Sequence, residues 1–354
     1  MKTILVSIAS LSLMFSVNAG ELSVSGTAKA TYNASSGVQT DNGIGVTNEL
    51  NFTASGEMDN GYTWSYSMEL DPSTTGSGQA NNDDTQIKIG LNDMGTVKIC
   101  VSECGLSTKY AFDNSAYGIG SDNGYGHGST SSGASANTMQ YGSNISAYNN
   151  LQYHAPADML PFSTTFKVGI TPGGAGGSAN ASSHSVNGVT NGDFTQYAVT
   201  MAPIDGLTLS ASYYEINDYD DGAGNIIDQL EEGGAYAAKY SAGNLTIGYG
   251  KSFQAPELLS SSATGSSVEY YENTGYSIGY AVNDELSVSY TREESEANQA
   301  HSSNTTYDIE MDSVQFAYSL GGATLSVARA DYENVSYAQN RDATETIVAM
   351  TFAF

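Results

Sequence analysis

The stretch that decides the fold is residues 271–294, YENTGYSIGYAVNDELSVSYTREE, where two alternating runs flank the turn dipeptide Asn283-Asp284. Apolar side chains occupy every second position of each run: Tyr276, Ile278, Tyr280 and Val282, then Leu286, Val288 and Tyr290. Period-two alternation is typical of β-strands that bury or expose one apolar face. The stretch therefore predicts a β-hairpin.

The same alternation occurs in sixteen segments: 22–34, 46–58, 61–71, 84–92, 95–102, 148–155, 163–171, 194–203, 207–217, 233–243, 244–251, 271–283, 286–294, 307–320, 323–334 and 343–354. Tight turns alternate along the chain with longer loops rich in Gly, Ser, Asn and Asp. An even number of strands with short turns at one rim and long loops at the other is typical of membrane β-barrels. Closure satisfies every backbone polar group, as hydrocarbon requires. We predict an all-β, sixteen-stranded antiparallel transmembrane β-barrel.

Composition excludes two other classes. The chain has 354 residues, with 11 Lys and Arg against 38 Asp and Glu, so its formal charge is −27. Phosphate binding needs clustered basic residues, so we expect no nucleic-acid partner. Hydrophobic residues make up 40% of the chain, which argues against disorder.

The N-terminus carries an export signal. Lys2 precedes an apolar run from Ile4 to Val17, and Val17-Asn18-Ala19 has the small residues of a cleavage site. Residues 1–19 are therefore predicted to be a signal peptide and residues 20–354 the barrel domain. No later segment reaches the ~20 consecutive apolar residues of a membrane-spanning helix.

Tyrosines cluster at one end of the strands. Five outward-running strands finish in tyrosine: Tyr32, Tyr213, Tyr249, Tyr290 and Tyr332. An aromatic belt at the lipid headgroups would place them there. The alternative is the general preference of tyrosine for strands.

The chain resembles the general bacterial porins over its whole mature length. The resemblance rests on the signal peptide, the strand and loop alternation, the segment Met94–Ile99 entering the fifth strand, and the last strand closing on Phe354. It implies a homotrimer in the outer membrane of a Gram-negative bacterium, in contact with lipid and lipopolysaccharide. It further implies passive diffusion of small hydrophilic solutes, and it makes Phe354 an outer-membrane assembly signal.

The longest connection, residues 103–147, follows the fifth strand. In porins the third loop has this position, folds into the barrel and forms the pore constriction. The resemblance therefore places Glu103, Asp113 and Asp122 at a constriction. An ordinary surface loop of the same length and composition is the alternative.

Five lysines occupy strand positions whose side chains are predicted to face the lumen: Lys29, Lys88, Lys98, Lys167 and Lys239. Each lies near the middle of its predicted strand, where a lipid-facing lysine would cost ~2–4 kcal/mol. Lysines on the wall opposite loop carboxylates would create a transverse field across the constriction. The alternative is that they pair with carboxylates such as Glu49 or Glu69.

The charges in the sequence give two opposite expectations for ion preference. Lysines inside the lumen favour anions, whereas the overall charge and an acidic vestibule favour cations. From the sequence we expect a preference for cations.

The two cysteines, Cys100 and Cys104, lie at the outer end of the fifth strand. In an oxidising compartment such a close pair is predicted to form a disulfide that pins the root of the long loop. The alternative is that the ring closed by this bond is too small for disulfide geometry, so that the two cysteines stay unbonded.

No enzyme or cofactor is predicted. The four histidines are scattered, and no catalytic motif is present. Acidic groups in the loops could hold Ca²⁺ or Mg²⁺, but no regular ligand spacing is found, which favours solvated loop charges. The predicted function is an outer-membrane diffusion channel for ions and small hydrophilic solutes. A substrate-selective channel and a barrel enzyme are the alternatives.

Overall fold

Sixteen strands form one closed antiparallel barrel, in which each strand pairs with its neighbours in sequence. The structure, a computed structural model, describes residues 21–38, 42–71, 81–101, 103–119, 139–157, 159–171, 185–186, 189–190, 193–217, 227–259, 268–300 and 305–354. The strands are β1 (Glu21–Gly37), β2 (Gly43–Glu57), β3 (Thr63–Asp71), β4 (Asn81–Gly90), β5 (Thr96–Val101), β6 (Asn150–His154), β7 (Thr165–Thr171), β8 (Asp193–Ile204), β9 (Leu207–Asn217), β10 (Glu232–Ala242), β11 (Leu245–Ala255), β12 (Val268–Ala281), β13 (Leu286–Gln299), β14 (Ile309–Ser319), β15 (Ala323–Glu333) and β16 (Ala343–Ala353). The predicted fold class is confirmed.

Smaller elements lie outside the barrel sheet. Ser185–Val186 pairs with Val189–Thr190, and Ile227–Gln229 pairs with Leu258–Leu259. Three-residue 3₁₀ turns occur at Asn92–Met94, Ile145–Ala147 and Val335–Tyr337. Within the described residues, no helix has the length and apolar character needed to span a membrane.

Pairing of β1 with β16 closes the barrel. Lys29 lies opposite Thr351 in this ladder. At its end, Gly26 and the C-terminal Phe354 exchange two backbone N–H···O bonds of 2.8 and 3.0 Å. The last residue thus continues the ladder that closes the barrel, while its role as an assembly signal stays a prediction.

The two faces of the wall differ as the alternation predicts. On β14, Val314 and Phe316 point outward and are 63% and 38% exposed, whereas the intervening Gln315 is 2% exposed. Side chains alternate between faces along a strand, so one apolar face covers the outside. An outward apolar band with a polar interior is the arrangement of a lipid-facing barrel.

Several strands run further toward the long-loop rim than predicted. β13 continues to Gln299 rather than ending at Glu294, and β11 continues to Ala255 rather than residue 251. Beyond the apolar band the alternation goes on with charged and polar side chains, so a hydrophobic pattern no longer marks the strand.

The tyrosine belt is correct in part. Tyr32, Tyr213 and Tyr290 point outward and are 50%, 41% and 39% exposed. Tyr332 was expected in the same belt, but it is 1% exposed and lies in an interior cluster with Met139. The expectation was wrong for Tyr332. Odd-numbered side chains of β15 point outward, so Tyr332, at an even-numbered position, points inward.

Candidate functional site: the loop inside the barrel

The described parts of the connection between β5 and β6 lie inside the barrel. Its described parts are an outgoing limb, residues 103–119, and a returning limb, residues 139–149. The outgoing limb bonds successive inward-facing wall residues: the Thr108 backbone N donates to Ser212 Oγ on β9 at 2.9 Å, and Asn114 Nδ2 donates to Ser277 Oγ on β12 at 2.7 Å. The limb follows the wall from β8 to β14, and Tyr110 and Tyr117 also pack against a buried cluster supplied by β14, β15 and β16.

A glycine-lined groove receives the centre of the outgoing limb. Phe112 is 2% exposed and packs against the inward positions Gly248, Gly250 and Gly275. A Cβ at Gly275 would come within 2.1 Å of the Phe112 ring, and one at Gly248 within 1.8 Å of its backbone oxygen. Only glycine permits this close approach of loop to wall.

Gln315 on β14 holds the end of the outgoing limb. Its Oε1 accepts hydrogen bonds from the backbone N of Tyr117 and of Gly118 at 2.8 and 3.2 Å. Its Nε2 donates to the Gly118 carbonyl oxygen at 2.6 Å. One buried amide therefore satisfies three backbone groups of the loop, as buried polar groups require.

The returning limb is bound to the same wall. Tyr141 donates a hydrogen bond to the buried carboxylate of Glu293 on β13. The Ile145 backbone N donates to Gln196 Oε1 on β8 at 2.9 Å. Both described limbs thus lie against the wall formed by β8–β16.

The loop root is covalently closed. Cys100 on β5 and Cys104 in the loop are joined by a disulfide, with their Cα atoms 6.1 Å apart. Cys104 has a positive φ of 69°, which turns the chain inward. Gln152 on β6 donates from its amide to the Cys104 carbonyl oxygen. The bond ties the start of the outgoing limb to the wall.

The five predicted lumen lysines lie on the inward face, but they fall into two groups. Lys98 shares the inward face of β5 with Cys100, between Val97 and Ile99, and Ile99 points outward and is 51% exposed. The group formed by Lys88, Lys98 and Lys167 lies close to the loop root. Lys98 and Lys167 lie within a residue of the middle of β5 and β7, as predicted, whereas Lys88 lies two residues from the short-turn end of β4, which begins at Asn81 rather than at the predicted residue 84.

Lys29 and Lys239 contact the loop itself. Lys29, in the middle of β1, places its Nζ 5.8 Å from the centre of the Tyr117 ring. Lys239 on β10 donates to the Asp113 carbonyl oxygen at 2.5 Å. These two lysines therefore meet the end and the centre of the outgoing limb.

The three acidic residues predicted to line the constriction, Glu103, Asp113 and Asp122, are not brought together by the described structure. Asp113 Oδ1 accepts from Ser115 Oγ at 2.7 Å and from Thr291 Oγ1 on β13 at 3.2 Å, so its carboxylate lies on the loop-covered side. Glu103 lies at the loop root, close enough to Lys98 to interact with it electrostatically. Asp122 lies outside the described residues.

Many described carboxylates point away from the lumen. Arg292 on β13 faces outward and pairs with Glu294, Glu310 and Asp312 at 2.9, 2.6 and 3.1 Å. Glu293, the next residue of β13, faces the interior instead and is 0% exposed. Arg329, outward on β15, pairs with Asp331 at 2.8 Å.

A pairing between the lumen lysines and Glu49 or Glu69 is not seen. Glu49 accepts a hydrogen bond from Thr27 at 3.3 Å. In the described part of the chain, the ion pairs involve Lys251, Arg292 and Arg329, and none involves Lys29, Lys88, Lys98 or Lys167.

His154, at the end of β6, has its Nε2 2.8 Å from Gln152 Oε1. Its partner is thus an amide rather than a carboxylate or a nucleophile, as a catalytic histidine would require. Among the described residues, no three His, Cys, Asp or Glu side chains converge to hold a metal ion.

Two loop tyrosines have shifted acidities. Burial, helped by the nearby negative charge of Glu345, raises the pKa of Tyr117 to about 12. Burial also raises the pKa of Tyr337 to about 12. Both phenols are therefore protonated at physiological pH.

Sequence reasoning missed the wall residues that bind the loop. Gln315, Glu293 and the glycines at 248 and 275 carry the loop contacts, yet none was predicted. A signal was present for the glycines, because Gly275 and Gly279 lie at inward positions of one strand, as do Gly248 and Gly250 of another. Paired inward glycines indicate that another chain segment approaches the wall.

Comparison with known proteins identifies the fold. No protein-family model and no curated protein matches the sequence. Three solved structures superpose over 95% of this chain. They are Salmonella typhi OmpF in complex with daunomycin (TM-score 0.66, 15% identity, 98% of that chain), an anion-selective porin from Comamonas acidovorans (0.63, 11%, 100%) and a loop L8 deletion mutant of OmpT from Vibrio cholerae (0.62, 14%, 100%). The chain has the porin fold, and the resemblance seen in the sequence is confirmed at that level.

Proposed function

We propose that the protein is an outer-membrane porin, a passive diffusion channel for ions and small hydrophilic solutes, exported through a cleaved signal peptide. The observation that carries this proposal is the loop bound along β8–β14 inside a closed barrel. The described limbs of the loop take up part of the interior along these strands, which supports a narrowed passage. The opposite wall carries lysines that have no ion-pair partner among the described residues.

The constriction is proposed to be charged across its width. Asp113 bonds β13, and Lys98 lies on β5, eight places away in the ring of sixteen strands. Two strands eight places apart in this ring lie on opposite sides of the barrel. Arrays of charged side chains across a narrow aqueous opening set ion preference and orient dipolar solutes.

The partners are proposed from the outer surface. Its apolar band fits lipid, and its charged rim at β12–β15 fits the headgroup region and lipopolysaccharide. A homotrimer is proposed on the porin resemblance. Passive diffusion needs no cofactor, and no enzymatic activity is proposed.

Conductance measurements test the proposal. Purified mature protein added to a planar lipid bilayer should produce discrete, ohmic current steps, closing in threes for a trimer of open pores. A matched sample of heat-unfolded protein should give none. Intact folded barrels that leave the bilayer at its bare conductance would overturn the channel function.

A further inference from the structure

Two connections of the long-loop rim reach the returning limb of the loop inside the barrel. One joins β9 to β10 and is described over residues 227–231, and the other joins β15 to β16 over residues 334–342. We call them the rim connections. Both contact the limb within one run of five residues, 139–143. The rim and the loop are therefore in direct contact.

Glu231 makes the first of these contacts. Its Oε1 accepts hydrogen bonds from Ser143 Oγ on the limb at 2.7 Å and from the Tyr214 hydroxyl on β9 at 3.0 Å. Gly142 lies against the same phenol, since a Cβ there would come within 2.9 Å of its oxygen. Ile216 on β9 donates from its backbone N to the Glu231 carbonyl oxygen at 3.1 Å. One carboxylate therefore joins the limb to the wall at the point where the rim connection enters β10.

The position of Glu231 is supported by the neighbouring part of the rim. Ile227–Gln229 pairs with Leu258–Leu259 in the connection between β11 and β12. Gln254 at the rim end of β11 also donates from its Nε2 to Glu231 Oε1, at 3.4 Å. Glu231 is therefore positioned from both the β9 side and the β11 side.

Tyr337 makes the second contact. Its hydroxyl oxygen lies 2.7 Å from Ser295 Oγ on β13 and accepts a hydrogen bond from the backbone N of Gln140 at 3.4 Å. Val335 of the same rim connection is 3% exposed and belongs to one buried cluster with Met139 of the limb. This connection therefore meets the limb through both a polar and an apolar contact.

The backbone around Tyr337 is held in an uncommon conformation. Asn334, Ser336, Tyr337 and Asn340 have positive φ angles of 55°, 63°, 56° and 59°. Residues with a Cβ seldom adopt this region, and they remain in it where the surrounding contacts fix them. The rim connection is therefore built into one conformation, as a fixed contact with the limb requires.

The wall holds the same run of residues through separate bonds. Asn273 on β12 donates from its Nδ2 to the Gln140 carbonyl oxygen at 2.8 Å, and Glu293 on β13 accepts from Tyr141. Residues 139–143 are thus bonded both to wall strands and to the rim connections. A displacement of the rim therefore reaches the loop directly.

Resting on the proposed channel function, we infer that Glu231 and Tyr337 are positioning residues that couple the long-loop rim to the constriction. They hold the returning limb beside the wall and so keep the passage steadily open. A limb released from either residue would move into the passage and close it transiently. Hydrogen bonds to charged groups are stronger than those between neutral groups, so loss of the Glu231 side chain has the larger effect.

Single-channel recordings at fixed voltage test this inference through the frequency of transient closures. Glu231→Ala should raise that frequency by about tenfold, and Tyr337→Phe by a smaller factor. Glu231→Gln should behave as wild type, because its side-chain oxygen still accepts from Ser143 and Tyr214. The double variant Glu231→Ala/Ser143→Ala should close no more often than Glu231→Ala alone, because both changes remove the same bond.

Each variant has a matched control at the outer face of the barrel. Glu232→Ala removes an identical charge one residue away, where the carboxylate accepts a hydrogen bond from the outward-facing Tyr213 at 2.6 Å. Tyr290→Phe removes a phenol that donates to Asp312 on the outer face. Both controls should keep the wild-type frequency of closures.

Equal closure frequencies in Glu231→Ala and Glu232→Ala overturn the inference and leave the channel function standing. The same holds if Glu231→Gln is disturbed as much as Glu231→Ala, because the charge and not the hydrogen bond would then be what matters. If Glu231→Ala does not fold, Ser143→Ala tests the same contact from the loop side, and a wild-type frequency there overturns the inference. A folded wild-type barrel with no conductance instead removes the proposed function itself.

Discussion

Lys239 donates a hydrogen bond from its Nζ to the backbone carbonyl oxygen of Asp113 at 2.5 Å. The amine of one wall strand thus holds the centre of the loop that crosses the barrel. Lys88 and Lys98 have the same inward parity, yet they have no described ion-pair partner. The inward lysines of this barrel therefore differ in their contacts, because Lys239 bonds the loop whereas Lys88 and Lys98 face each other in the β4–β5 ladder.

We expect Lys239→Met to loosen the loop while changing ion preference little. The substitution removes the donor but keeps an apolar stem of similar length, and loss of a hydrogen bond from a charged donor costs about 1.5–3 kcal/mol. Single-channel current should become noisier and the folded barrel should unfold at a lower temperature. Lys98→Met is the matched variant and should change the reversal potential more than Lys239→Met does. A larger change in reversal potential for Lys239→Met would contradict these separate roles.

Replacing Lys29, Lys88 and Lys98 together by glutamate should markedly raise cation preference and change the single-channel conductance. The narrowest cross-section dominates the resistance, and substitutions at lumen positions alter selectivity more than stability. Reversal potentials in a salt gradient measure the effect. Arg341→Glu is the control, since a charge at the outer surface is screened within ~8–10 Å. A folded triple variant with an unchanged reversal potential would place these lysines away from the constriction.

Gly248→Ala should push the outgoing limb off the wall and into the passage. The new Cβ would meet the Phe112 carbonyl oxygen at 1.8 Å, so loop or wall has to move. We expect a lower single-channel conductance from a barrel that still folds. Gly322→Ala, at a position with nothing within 4 Å of the added Cβ, should behave as wild type. Equal conductance in the two variants would argue against the packing of Phe112 in the glycine groove.

The unboiled protein should migrate on a detergent gel as an oligomer and collapse to monomer on boiling. Closed ladders have no free edge for detergent to open, and an extensive subunit contact should persist until heating. Cross-linking before electrophoresis gives an independent count of subunits. A monomeric band in both experiments would contradict the trimer but not the barrel.

Alkaline conditions should destabilise the loop region. The pKa of Tyr117 and that of Tyr337 are each raised to about 12, whereas an unfolded tyrosine titrates near 10. The folded state thus holds protons that the unfolded state loses, so this stabilisation is complete below pH ~10 and declines as pH rises toward 12. Unfolding temperatures between pH 9 and 11.5 measure the decline. The double variant Tyr117→Phe/Tyr337→Phe should show a shallower decline, and identical slopes would exclude these two phenols as its source.

Local alternation was sufficient to determine the barrel from the sequence. Each strand repeats its side-chain direction every two residues, so runs such as Leu286, Val288 and Tyr290 define a strand and its lipid-facing side without tertiary information. Turn residues between the runs set the antiparallel order, and all sixteen strands were placed. The inward parity of the five lysines follows from the same rule. The pattern lost accuracy at the long-loop rim, where polar side chains occupy both faces of β13.

Tertiary structure decided what lies against what inside the barrel. Parity shows that Gln315, Gly275 and Glu293 point inward, but the residues they meet are about 150–200 positions away in the sequence. Contacts between the loop and the wall do not recur at a fixed spacing in the sequence, because the loop is irregular and each of its side chains packs against the wall in its own way. Tyr332 is a different case, because the alternation along β15 already indicates that it points inward with Ala328 and Ala330. Net charge was likewise readable from the composition, yet only the tertiary structure showed that Glu310 pairs with the outward Arg292 while Glu293 binds the loop.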